Sequence, residues 1–283
     1  MTQLNTMYPS VAFLAGYLKS HGLRATQTDL SPRFLTEIVL SPQGLGRMHP
    51  DLLRCKWYRK NAERIRERMP VALALLQGRD GTLIHRIAAD PIEFFPPGRR
   101  AEHFFGTMDA QAAFGAGGVG DLARLSATLF LEEVLDSVKA EVDPRFELAR
   151  YGEKLAASAP IFDPLLQASS SVRPTVIEEL LDEWIVELVR TMPGWESQQP
   201  RWVGISVQFP GNVYAGLRIA RVIKKHWSAT RTVLGGGYVN TELRDLEDPR
   251  IFDFFDFLTF DDGEEPLVRL LTENPKRMRT WWR

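Results

Sequence analysis

Residues 202–237, WVGISVQFPGNVYAGLRIARVIKKHWSATRTVLGGG, constrain the fold more than any other stretch of the chain. Val203, Ile205 and Val207 alternate as the apolar face of a short strand. A polar loop, SVQFPGN at 206–212, follows it. Val213, Leu217, Ala220 and Ile223 then recur at helical spacing and give the next segment one apolar face. A second apolar strand, Thr232-Val233-Leu234, runs into Gly235-Gly236-Gly237. Strand, helix and strand in that order make a βαβ unit, whose strands lie parallel. Open α/β sheets bind ligands beyond the carboxyl ends of their strands, where both the polar loop and the glycines fall. A residue without a Cβ lets the backbone approach a ligand closely, and it also serves a tight turn. Both readings of the three glycines stand at this point.

Ser206-x-Gln208 is followed by 26 residues (209–234) and then by Gly235-Gly236. This resembles the second and third parts of the cobalamin-binding fingerprint, a Ser-x-Leu and a Gly-Gly about that far apart, with Gln208 in the place of Leu. The surrounding text at 204–267, and QLNTMYPSVAFLAGYLKSHGLRATQTDLS at 3–31, is similar to the amino-terminal domain of cobalamin-dependent radical SAM proteins. The likeness covers roughly 1–30 and 200–272, and the middle of the chain follows that pattern only loosely.

The resemblance implies an α/β fold, a Rossmann-like (flavodoxin-type) parallel sheet with a large, mostly helical insertion. It places the cobalamin domain at 1–31 and 200–273, the insertion at 32–199, and a linker toward a radical SAM domain at 274–283. It implies that cobalamin contacts Asn5, Thr6 and Tyr8 on a first loop, Ser206, Gln208, Phe209 and Asn212 on a second, and Gly235, Gly236, Gly237, Tyr238 and Asn240 after the second strand. Ser206, Gln208 and Asn212 would bond corrin amides or the nucleotide tail, the glycines would leave room for the tail, and Tyr238, Val239 and Asn240 would stand at the rim. Phe209 and Tyr214 would add apolar contact. Ser206 as a cap of the following helix and Tyr214 as a core residue stay open as alternatives. Many cobalamin domains present a cobalt-ligating histidine within Asp-x-His-x-x-Gly on the first loop. Here 5–10 reads NTMYPS, with neither residue, which implies base-off cobalamin without a histidine ligand.

A single cysteine, Cys55, sets a further bound. A radical SAM [4Fe–4S] cluster is held by cysteine thiolates, and this chain cannot supply three. The cluster and S-adenosylmethionine are therefore expected on a domain beyond Arg283 or on a separate chain, or to be lost. The chain itself reads as the cofactor-binding part of a methyltransferase-like radical enzyme. A stand-alone corrinoid carrier or sensor is one alternative, and an α/β domain for a nucleotide or a protein partner is another.

With 44% hydrophobic and 25% charged residues, the 283-residue chain is ordinary for a globular protein, and long enough to form one large domain or two. Its net charge of −1 gives no nucleic-acid or polybasic membrane footprint. No apolar run has the length of a membrane span, and no secretory pattern opens the chain. One cysteine and no possible intrachain disulfide fit a reducing cytoplasm.

In the remaining text, the strand that precedes the first loop in the resembling domain is expected to be missing. Val11, Leu14, Ala15 and Leu18 predict a helix closed at His21-Gly22, and 24–29 reads as a short strand. The charged run 61–69 reads as solvated and 78–100 as rich in turns. Helices are predicted over 121–138 and 176–192, with 192–200 a connector. Asn240 is expected to cap a helix over 241–246. A strand over 254–260 is interrupted by Asp256, and 261–266 opens a last helix over 267–271. The five histidines lack metal-ligand spacing. Gly115, Gly117 and Gly120 spell G-x-G-x-x-G, but the preceding DAQAAF is not strand-like, so a glycine loop is the reading there. The acidic run 261–265 reads as a helix start in preference to a cation site.

Overall fold

The computed structural model describes residues 8–107, 114–115, 118–146, 173–193, 201–273 and 281–282. In chain order the elements are α1 (Ser10–Ser20), α2 (Leu30–Arg33), α3 (Pro42–Leu52), α4 (Lys56–Leu76), α5 (Ile84–Ala89), α6 (Pro91–Phe94), α7 (Arg99–Thr107), α8 (Val119–Glu141), α9 (Val176–Thr191), β1 (Trp202–Ser206), α10 (Val213–His226), β2 (Arg231–Gly235), α11 (Gly237–Thr241), β3 (Phe257–Thr259), α12 (Glu264–Glu273) and a two-residue strand, β4 (Trp281–Trp282). They form a mixed α/β fold with a small parallel sheet and a large helical region. Two compact units divide it: one holds the described residues of 30–148 and 175–180, the other those of 8–29, 173–174 and 181–283. The division falls at Asp29/Leu30 and, inside α9, at Leu180/Leu181. No described helix is long and apolar enough to cross a membrane.

In the helical unit, α8 packs chiefly against α4 and α5, and also against α3, α6 and α7. Phe130, Val134 and Val138 on α8 join Tyr58, Ile65 and Met69 on α4 in one core. The run 61–69 is therefore solvated only at its charges. Ile65 and Met69, four residues apart on one helical face, are fully buried. The turn-rich 78–100 holds two short helices. Pro91 opens α6, with Asp90 as its cap accepting the Glu93 N–H at 3.0 Å.

The start of α9 is tied to the end of α8 by buried charge. The Thr175 hydroxyl accepts the Glu178 N–H at 3.3 Å, and the Glu178 carboxylate accepts the Thr175 N–H at 2.7 Å. This reciprocal pair is a capping box. The same hydroxyl donates to Asp143 at 2.7 Å, and Arg145 reaches both Asp143 (3.1 Å) and Glu178 (2.9 Å). Burial alone would push the Asp143 carboxyl up. The hydrogen bonds from Arg145 and Thr175, together with the Arg145 charge, outweigh it and hold the carboxyl below its usual range.

In the other unit the sheet runs β1-β2-β3, all parallel, and β4 extends it beside β3. Val233 pairs with Phe257 and Leu234 with Leu258, and alternation sends each pair to its own face. Leu234 and Leu258 pack with Val213, Leu217 and Ala220 of α10. Val233 and Phe257 pack with Leu270 and, at the edge of that cluster, Leu267, both of α12. The sheet is thus buried on both faces, as parallel sheets are. Two expectations fail here. Residues 24–29 make no strand, because they enter no ladder and their side chains are largely polar. Asp256 does not interrupt a strand but precedes β3, accepting the Thr232 N–H at 2.8 Å and lying 3.4 Å from Lys224.

Candidate functional site

The carboxyl ends of β1 and β2 and the start of α1 bring together polar groups from three separate parts of the chain. β1 ends at Ser206, and its alternation turns Val207 into the core. Gln208 and Phe209 are half-buried and precede a 3₁₀ turn, Pro210–Asn212, which leads into α10. The Gln208 amide donates to Ser206 Oγ at 2.6 Å and to Ser10 Oγ at 3.0 Å. Its oxygen accepts the Gly237 N–H at 3.1 Å. Ser10 and Ser206 lie 3.4 Å apart, oxygen to oxygen. Because one of two touching hydroxyls can donate to the other, the second keeps a proton to offer elsewhere. Tyr8 and Phe209 meet edge to face beside this cluster, centroids 5.9 Å apart, with Tyr8 exposed. The Tyr8 N–H is anchored on Asp29 at 2.8 Å.

The glycine turn is crowded by the protein itself. Gly236 has φ +108°, and a Cβ there would stand 2.5 Å from Val207 O and 2.8 Å from Val207 N. Val207 is fixed by backbone bonds, its N–H donating to Gly235 O at 2.8 Å and its carbonyl accepting the Tyr238 N–H at 3.1 Å. A Cβ on Gly235 would meet Thr259 Oγ1 at 2.6 Å. At Gly237 the nearest atom is the end of a longer side chain, Gln208 Oε1, at 3.2 Å. Close approach of protein atoms explains Gly235 and Gly236, and at Gly237 the contact is looser and its partner can yield.

Of the residues read from the sequence, Ser206, Gln208, Phe209 and Gly237 come together with Tyr8. Asn5 and Thr6 lie outside the described residues. Tyr238 and Val239 are not at the rim: they are buried in the core with Val207, Leu234 and Leu243, because the chain turns inward directly after Gly236. Burial pushes the Tyr238 phenol up, and the Glu242 carboxylate adds to this. Asn240 caps no helix; it lies within α11, which begins at Gly237. Its amide donates to Asp261 O at 3.1 Å and accepts the Asp261 N–H at 2.7 Å, holding Asp261 at φ +59°. Arg244 pairs with the Asp261 carboxylate. Asn212 is half-buried at the foot of α10 and caps it with no side-chain bond. Ser206 bonds Gln208 and so is tied into the cluster, away from the α10 start.

The last helix begins earlier than expected, at Glu264, with Glu264 and Glu265 in its first turn. Among the described residues no group of three or more His, Cys, Asp or Glu side chains is placed to hold a metal ion. Gly115 has φ +61° ahead of α8, and Gly117 lies outside the described residues. Ser10 is the site residue that sequence reasoning passed over. It stands in the stretch 5–10 assigned to the ligand side, but its contact with Ser206 spans 196 positions, and no local pattern marks that. Comparison with protein families, with curated proteins and with solved structures finds no match to this chain.

Proposed function

We propose that the sheet unit is a Rossmann-like, flavodoxin-type domain that binds a corrinoid across the carboxyl ends of β1 and β2. The observation that carries this reading is the neutral polar cluster of Ser10, Ser206, Gln208 and the Gly237 N–H, set beside the Tyr8–Phe209 pair. It stands where parallel sheets bind ligands. Hydroxyls, a carboxamide and an aromatic rim fit the periphery of a corrin, a broad apolar ring fringed with primary amides. The fit does not extend to a slot along the glycines, whose Cβ directions meet Val207, Thr259 and Gln208. The chain's contribution is to bind and orient. The resemblance pairs such a domain with a cytoplasmic radical SAM partner, in the same or another chain, that carries the [4Fe–4S] cluster and S-adenosylmethionine. Methylcobalamin supplies a methyl group to such chemistry when bound.

The crowded glycine turn favours a second reading, an α/β domain for a nucleotide or protein partner in which the glycines serve packing alone. Visible absorption separates the two. The chain is mixed with hydroxocobalamin or methylcobalamin and freed of excess by gel filtration. Retained corrinoid with a base-off spectrum, lost in Ser206→Val, supports the first reading. A folded chain that retains no colour overturns it.

A further inference from the structure

We infer that Arg64, Arg68 and Arg86, gathered at Phe94 in the helical unit, form a site for the terminal phosphate of a soluble phosphate monoester. The inference is independent of the corrinoid reading, because its residues all lie within 30–148.

Three helices bring the cluster together. Arg64 and Arg68 are four residues apart on α4, so they share one face of that helix. Arg86 is on α5, and Phe94 ends α6. The Arg68 guanidinium carbon lies 4.6 Å from the centre of the Phe94 ring, and that of Arg86 lies 5.9 Å from the same centre. Arg64 Nη2 donates to the Glu93 backbone carbonyl, which holds this third head against α6.

No counter-ion accompanies these charges. Among the described residues none of the three is in an ion pair. The other half-buried arginines described in this unit, Arg33 and Arg100, pair with Glu37 and Asp136. Arg64 and Arg68 are half-buried without such a partner, and taking a charge partly out of water uncompensated is costly. Arg68 Nε is buried with no hydrogen-bond partner at all. The face of Phe94 attracts a cation but supplies no oxygen acceptor. What remains of Arg68 for an acceptor is the Nη end of its fork. The carboxylates nearest in sequence, Glu63, Glu67 and Glu93, are exposed, and among the described residues none of them pairs with the cluster.

The chemistry selects a multiply charged anion. A guanidinium only donates hydrogen bonds, so a cationic ligand finds no acceptor in the three heads. A carboxylate carries one negative charge, and its two oxygens fill one fork. A terminal phosphate carries about 1.5–2 negative charges near neutral pH and three acceptor oxygens, enough for several guanidinium groups. Ile92 is the one large apolar residue exposed in this unit among those described. No apolar face for a lipid surface therefore surrounds the cluster, and the ligand class is a soluble ester.

The test uses the ¹⁵N-labelled full chain, with the arginine Nε–Hε resonances followed by NMR. Each resonance is assigned by its loss in the matching Arg→Lys variant. Phenyl phosphate and benzoate are the probes, at equal ionic strength. The expected result is saturable shifts at Arg64, Arg68 and Arg86, with phenyl phosphate binding about tenfold tighter than benzoate, equivalent to about 1.4 kcal/mol, and with the exposed Arg59 and Arg66 unmoved. Equal affinity for the two probes, no response to either, or shifts as large at Arg59 and Arg66 overturn the site. Arg68→Gln is expected to weaken phenyl phosphate about tenfold. Should that variant fail to fold, Arg86→Gln, at an exposed side chain, decides: about tenfold weaker binding supports the site, and unchanged binding overturns it. Sedimentation with vesicles containing phosphatidic acid, without any response to phenyl phosphate, would trace the phosphate to a lipid and overturn the soluble ester.

Discussion

One polar cluster in each unit ties distant stretches of the chain together, and the two clusters differ in charge. In the helical unit Asp143, Arg145 and Glu178 lock the end of α8 to the start of α9. At the end of β1 the members are neutral: two hydroxyls, a carboxamide and a backbone N–H. Charged locks resist rearrangement, since removing one member strands another charge in low dielectric. Neutral bonds at a half-buried edge exchange at lower cost, because each contributes only about 1 kcal/mol net. The first arrangement suits fixing a fold, and the second suits trading a protein partner for a ligand.

Replacing Arg145 with alanine is the strongest way to break this contrast. It leaves the Asp143 and Glu178 side chains, 4% and 3% exposed, without their shared cation, and a loss of about 3 kcal/mol is expected in urea unfolding. Gly236→Ala follows, with an expected loss of about 2–3 kcal/mol, from φ +108° and overlap with Val207 backbone together. Gly237→Ala sharpens the comparison. Its neighbour is the end of Gln208, which can yield, so the loss is expected to be about 1 kcal/mol. Equal costs at the two glycines would contradict the distinction between the pinned Val207 backbone and the yielding Gln208 side chain.

A pH series, run on the wild type and on Asp143→Asn, probes the charged lock. The Asp143 carboxyl is held down in the folded chain. The stability it contributes is fully present above the ordinary aspartate value of about 4, and is lost as pH falls through the lowered folded value. Asp143→Asn is expected to flatten the acid limb of the stability curve, measured as urea midpoints across that range, and an unchanged limb would remove Asp143 from the account.

Much of the sheet unit was legible because periodicity is a local signal. Val213, Leu217 and Ala220 on α10 and Val233 and Leu234 on β2 fall where their spacing puts them. The errors arise where a partner decides. Residues 24–29 carry strand-like threonines but meet no neighbouring strand. Asn240 looked like a cap because Gly237, a poor helix former, hid the true start of α11. The glycines did signal close approach, but one sequence does not say whether ligand or protein approaches. The Thr175-Val176-Ile177-Glu178 capping box matches a readable pattern, whereas its link to Asp143 does not.

The most direct test of the corrinoid site is a residue-resolved one. Diamagnetic hydroxocobalamin is titrated into the uniformly ¹⁵N-labelled full chain. The account predicts saturable shifts centred on Ser10, Ser206, Gln208 and Gly237, with the amides of α8 unmoved. Shifts centred anywhere else, or none from a folded chain, would contradict it.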